Sequence, residues 1–131
     1  MAITKDAGRQ TTLVAVVDFT FATLTSGSAE GAVDLPNGAV VTGGQLVVDT
    51  AFNSGTSDTI SVGDGVTAAR YESAQSVAST GAYPLTVTGY EYTAADAVDI
   101  TLTSVGAAAT AGAGRLVVEY YVEGRANEVQ A

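Results

Sequence analysis

The strongest constraint on this chain's fold is a two-residue rhythm of apolar side chains, interrupted at short intervals by glycine. It is cleanest over Arg115 to Glu123, where Leu116, Val118, Tyr120 and Val122 alternate with Val117, Glu119, Tyr121 and Glu123. Successive side chains of an extended backbone point to opposite faces, so this pattern predicts a strand with one buried face. The same rhythm runs from Thr12 to Leu24, where Leu13, Ala15, Val17, Phe19 and Phe21 share a face and both phenylalanines are expected in the core. Ala97 to Ser104 places Val98, Ile100 and Leu102 inward, and Asp58 to Val62 does so with Ile60 and Val62.

Turn signals separate these runs. Pro36-Asn37-Gly38 is the strongest, because proline fixes φ and Asn-Gly readily takes positive φ. Ala39 to Thr42 and Gln45 to Phe52 read as strand, with Leu46, Val48 and Phe52 inward. The Gly43-Gly44 pair between them is either a bulge within one strand or a turn between two. Residues 66–82 read as loop. Tyr83 to Thr93 reads as strand, with a bulge at Gly89 bringing Leu85, Val87, Tyr90 and Tyr92 to one face. Seven or eight strands without a convincing helix predict an all-β, single-domain antiparallel sandwich of jelly-roll type. It is expected over 12–124, after a flexible N-terminal arm at 1–11 and before a C-terminal tail at 125–131.

Composition fits that architecture and narrows the chemistry. With 131 residues the chain is one ordinary domain, and its 15 glycines and low charged fraction of 15% suit a turn-rich β fold. His, Cys and Trp are absent, which removes imidazole general bases, thiol nucleophiles, disulfides and the common soft-metal ligands. Asp64 between Gly63 and Gly65 resembles a fragment of a calcium loop, but the alternating oxygen ligands and closing glutamate are missing, so it reads as a turn residue. Glu119 and Glu123 lie on one strand face roughly 13 Å apart at about 3.3 Å per residue, too far to act as a glycosidase pair along that strand. No serine sits in a nucleophile elbow. The expectation is a protein that is not an enzyme and needs no cofactor or metal.

Charge narrows the partners. The net charge is −9, and because Lys5, Arg9 and Arg125 outweigh Asp6 and Glu128 at the ends, the body alone carries −10. Such a body is repelled by nucleic-acid phosphates and anionic lipid, and no stretch approaches the roughly 20 apolar residues of a membrane span. Nucleic-acid and membrane partners are therefore not expected. The residues 1–10 lack a secretory apolar stretch, which predicts synthesis in a cytoplasm. Two features point to protein partners. The terminal segments hold three of the five basic residues, Lys5, Arg9 and Arg125. Val117 and Tyr121 alternate away from the core side of their strand and form either an exposed contact patch or a second buried face.

Two stretches resemble a known class. These are the run Leu35-Pro36-Asn37-Gly38-Ala39-Val40-Val41-Thr42-Gly43-Gly44-Gln45-Leu46-Val47-Val48-Asp49-Thr50-Ala51-Phe52-Asn53, followed by Ser61-Val62-Gly63-Asp64-Gly65, and the later Ala111-Gly112-Ala113-Gly114-Arg115-Leu116-Val117-Val118-Glu119-Tyr120. Both resemble small structural proteins of tailed bacteriophages, most of all the capsid decoration, or cement, proteins. The resemblance covers most of residues 35–125 and consists of glycine and strand texture. It implies a small, often trimeric β protein on the outer surface of the phage head, bridging subunits of the major capsid protein, with many modest contacts summed by avidity. A tail-tube or receptor-contacting tail module is the alternative within the same particle. A carbohydrate-binding sandwich is a third reading, weakened by the lack of tryptophan.

Overall fold

The computed structural model describes residues 8–124 and 126–129, with the side chains of 10–124. Ten strands follow one another: β1 (Gly8–Gln10), β2 (Leu13–Thr20), β3 (Ala29–Leu35), β4 (Ala39–Thr50), β5 (Ser57–Gly63), β6 (Glu72–Ser76), β7 (Gly81–Pro84), β8 (Asp96–Val105), β9 (Ala113–Val122) and β10 (Ala126–Val129). Their pairing is nested. β1 pairs with β10, β2 with β9, β3 with β8, β4 with β7 and β5 with β6, every pair antiparallel. The chain is thus a single long ribbon doubled back on itself between β5 and β6.

Two further antiparallel pairings, β4 with β9 and β5 with β8, roll that ribbon up. The outcome is two four-stranded sheets, β2-β9-β4-β7 and β3-β8-β5-β6, beside the two-stranded β1-β10 ribbon. An antiparallel ribbon wound this way into two facing sheets is the jelly roll. The all-β sandwich expected from the alternation is the observed fold, with eight strands in its two sheets. Of the segments read as arm and tail, residues 8–10 and 126–129 pair with each other.

The core lies between the sheets and follows the alternation. Leu46, Ile60, Val62, Val98, Leu116 and Val118 are completely buried, with Phe19 tilted against Phe52 at a centroid distance of 6.3 Å. Truncating any one of the large members to alanine removes about 2–5 kcal/mol. Gly43-Gly44 is a bulge inside one twelve-residue strand, where the register against β9 shifts between Val41 and Gly43. Gly44 sits at φ 134°, and a Cβ there would lie 2.1 Å from the Val117 carbonyl oxygen, so no other residue fits.

Three local expectations are corrected. Phe21 is not in the core: β2 ends at Thr20, the Thr23 amide bonds back to the Thr20 carbonyl at 3.1 Å, and the turn leaves Phe21 37% exposed. The stretch 66–82 is not all loop, since it contains β6 and the start of β7, with Tyr71 and Val77 buried beside them. Tyr83 to Thr93 is not a continuous strand. The ladder stops at Pro84, which has no N–H to extend it, and Val87 is 44% exposed while Leu85 and Tyr92 are buried. The segment touches β4 at two points, the Leu85 amide on the Gly44 carbonyl and the Tyr92 amide on the Ala39 carbonyl, both 3.0 Å. It loops out between them through Gly89 at φ 72°.

Candidate functional site

Two clusters stand out from the sandwich, one polar and turned inward, the other apolar and turned outward. The polar cluster begins where β5 ends. Gly63 leaves no room for a Cβ, which would lie 2.2 Å from the Thr67 carbonyl oxygen, so the loop folds tightly over the strand end and Asp64 points into the protein at 3% exposure. Its carboxylate accepts the amides of Val66 at 2.9 Å and Thr67 at 2.7 Å, the Tyr92 hydroxyl at 2.7 Å and the Arg70 guanidinium. Since Tyr92 donates to Asp64, the 2.7 Å contact between the Tyr71 and Tyr92 hydroxyls has Tyr71 as donor. Arg70 lies 3.8 Å over the Tyr90 ring, which meets Tyr92 edge-on at 4.9 Å.

The electrostatics of this cluster are those of a staple. Burial works to raise the Asp64 carboxyl, but the hydrogen bonds from Arg70, Thr67, Tyr92 and Val66 together outweigh it and hold the group down at about 2. Burial and the hydrogen bonds to Tyr71 and Asp64 push the Tyr92 phenol well above its ordinary range, so it remains a donor. An ionised carboxylate with its lone pairs occupied is neither base nor nucleophile, and among the described residues no group of three His, Cys, Asp or Glu could hold a metal. Asp64 is a turn residue, as read, and also the anchor that ties the 85–92 segment to the β5–β6 connection. The grouping of Arg70, Tyr71 and Tyr92 around Asp64 escaped the sequence reading because the first two sit in a stretch without a period and Tyr92 arrives from 28 residues away.

A smaller version of the same device closes the other end of β5. Asp58, 2% exposed, accepts the Ser54 amide at 2.8 Å, the Ser54 hydroxyl at 2.6 Å and the Ser104 hydroxyl at 2.5 Å. Burial opposes ionisation here too, and the serine hydrogen bonds prevail and lower the carboxyl.

The apolar cluster lies on the outer face of the β2-β9-β4-β7 sheet. Val16 stands opposite Val117, and Val117 opposite Gln45 on β4. Val14 and Val16 are 58% and 57% exposed, while Val117 and Val47 are half-buried beside them. Charges border the patch: Glu119 opposite Val14, Asp18 opposite Arg115, and the Arg115 guanidinium donating to both oxygens of Asp49 at 3.0 and 3.1 Å. Tyr121, half-buried, is opposite Val40 on the same strand as Val117, beyond Glu119. Val117 therefore joins the patch and Tyr121 marks the strand end next to it. Arg9 lies on β1 with its backbone opposite Glu128, and Lys5 and Arg125 fall outside the described residues. Val14 and Val16 were not singled out in the sequence, although they alternate with the inward Leu13, Ala15 and Val17.

No protein-family model matches the chain, and no curated protein does. Solved structures do match. A chain of the Cyanophage Pam1 capsid asymmetric unit superposes with a TM-score of 0.71 at 29% identity, over 93% of this chain and 91% of that one. A chain of the acidic stable capsid of Helicobacter pylori bacteriophage KHP30 gives a TM-score of 0.71 at 21% identity, over 92% and 94%. A chain of the capsid of Ralstonia phage GP4 gives 0.59 at 21%, over 94% and 90%. The last two share the fold. The first shares the fold and more than a quarter of its residues.

Proposed function

We propose that the chain is a structural component of a phage head, a decoration protein that sits on the outer surface, bridges neighbouring subunits of the major capsid protein and associates as a homotrimer. The observation that carries this reading is the end-to-end likeness to a chain of the cyanophage Pam1 capsid, at 29% identity over nearly the whole of both chains. The likeness leaves less than a tenth of either chain uncovered.

The surface supports the reading. An exposed valine pair at Val14 and Val16, continued by Val117 and bordered by Glu119, Asp18 and Arg115, is an apolar patch with a polar rim, the anatomy of a protein–protein contact. Lys5, Arg9, Val117, Tyr121 and Arg125 are the proposed contact residues from the sequence, to which Val14 and Val16 are added. The saturated Asp64 cluster is rigid packing rather than chemistry, which fits a protein whose activity is binding. Each copy contributes a modest contact, and the lattice multiplies it.

The test is co-sedimentation of the purified chain with phage heads that lack it, followed by thermal challenge of the loaded heads. Saturable binding at a fixed ratio to capsid subunits, with a higher temperature of DNA release, supports decoration. Binding to isolated tails in place of heads overturns it.

A further inference from the structure

Jelly rolls expose four strand edges, and an exposed edge is a template for another strand unless it is guarded by charge, proline, a bulge or brevity. Three edges here are guarded. β7 has four residues and ends in Pro84. β6 has five, with Ala74 forced to φ 49°. β3 carries Glu30 and Asp34 and is broken by a bulge between Gly31 and Val33. β2 is different: it runs eight residues in unbroken register with β9, has neither proline nor lysine, and carries one charge, Asp18, near its end. Among the described residues, no hydrogen bond reaches the outward-facing amides and carbonyls of residues 13–19.

Alongside that edge, between β2 and β3, runs a groove of about 180 Å3. Val17, Phe19, Leu24 and Ile100 form its apolar wall, and Glu30 and Asp18 lie along it. Neither carboxylate has an ion-pair partner among the described residues. An extended segment laid on β2 would direct alternate side chains into the groove, and the chemistry asked of it is an apolar residue followed two positions later by a cation. The body cannot supply that cation, because its two arginines are engaged with Asp64 and Asp49. The chain's single lysine can: residues 1–7 read Met-Ala-Ile-Thr-Lys-Asp-Ala, with Ile3 and Lys5 at the required spacing.

We infer that residues 1–7 of a second copy of this chain add as a strand to the free edge of β2, with Ile3 in the groove and Lys5 against Glu30. The contact is head-to-tail, so a rotation that closes turns it into a ring. The inference deepens the proposed trimer and rests on that reading.

The protein has no cysteine, so paired single-cysteine variants of the full chain report the contact directly. Thr4→Cys lies on the face alternate to Ile3 and Lys5, and Val16→Cys replaces a 57% exposed side chain, so anchor and charges are untouched. Mixed and treated with a short bis-maleimide, they are expected to give several-fold more heterodimer than Thr4→Cys mixed with Ser73→Cys on the exposed part of β6. Adding Lys5→Glu to the first protein should remove the excess, and Glu30→Lys in the second should restore it. Equal yields at both positions overturn the inference. So does a Thr4→Cys, Val16→Cys double variant that closes within one molecule and stays monomeric, which would make the segment's own edge its site. Head binding that persists without selective cross-linking removes the strand exchange and leaves decoration standing; selective cross-linking without head binding does the reverse.

Discussion

The Asp64 cluster and the β2 face use opposite strategies for the same short supply of charge. Around Asp64 every polar group has a partner: two amides, a guanidinium and a phenol converge on one carboxylate, and a second phenol backs the first. At β2 the outward Val14 and Val16 and, among the described residues, the strand edge are left without cover. The first arrangement is costly to disturb and has nothing to offer a partner. The second contributes little to folding and is free to bind. Stability and binding are thereby assigned to separate parts of one small sandwich, so substitutions should separate them as well.

The contrast is broken most severely by Asp64→Ala. It leaves Arg70, Tyr92 and two amides without their acceptor, and loss of one partner of a buried ion pair costs about 3–5 kcal/mol. Urea titration should show that loss, and a change below about 1 kcal/mol would remove Asp64 from its role as anchor. Tyr92→Phe is the milder cut. It deletes one hydrogen bond to a charged acceptor and strands the Tyr71 hydroxyl, for an expected loss of about 1.5–3 kcal/mol by the same measurement.

Acid probes the same cluster without mutation. The Asp64 carboxyl is at about 2 in the folded protein against 3.8 as its ordinary value. Because the folded value is the lower one, the unfolded chain takes up the proton first as pH falls. The stabilisation is complete above about pH 5 and is lost on descending through the folded value, a contribution of about 2 kcal/mol. Asp58 is lowered and acts in the same direction. Asp99, raised by burial and by Asp96 and Asp64, acts in the opposite one. Denaturant midpoints measured from pH 6 to pH 2 should fall, and Asp64→Asn should flatten that slope; a slope unchanged by the substitution would contradict the assignment. At the far end of the scale, Val14→Ser with Val16→Ser should shift stability by no more than about 0.5 kcal/mol per site, as exposed positions do. Its effect should appear in head binding, and a variant that binds as tightly as the parent would dismiss the patch.

What the sequence made legible follows the range of the forces involved. β5, β8 and β9 each announce themselves through alternation inside a single strand, because both faces of an extended chain are local properties. The Gly43-Gly44 ambiguity could not be settled locally, since what forbids a side chain at Gly44 is the carbonyl of Val117 on a strand made much later. Residues 66–93 were misread for the same reason. Tyr71 bonds through its amide to Val62, Leu85 to Gly44 and Tyr92 to Ala39, so their conformation is dictated by distant partners and leaves no period. In the candidate surface, Val117 was found from its own strand, whereas Val14 and Val16 became visible once register set them beside it.

The nested ribbon also has a consequence in time. Leu13 pairs with Tyr120, and Gly8 with Val129, so the earliest-made strands close on the last ones. At about 5–20 residues per second, β2 waits on the order of 5–20 s for β9 to be synthesised. Throughout that interval the nascent chain carries an uncovered run of valines and an open edge, and folding of such non-local topology is slow once it begins. The first sheet therefore closes only after β9 has been made, however early β2 leaves the ribosome.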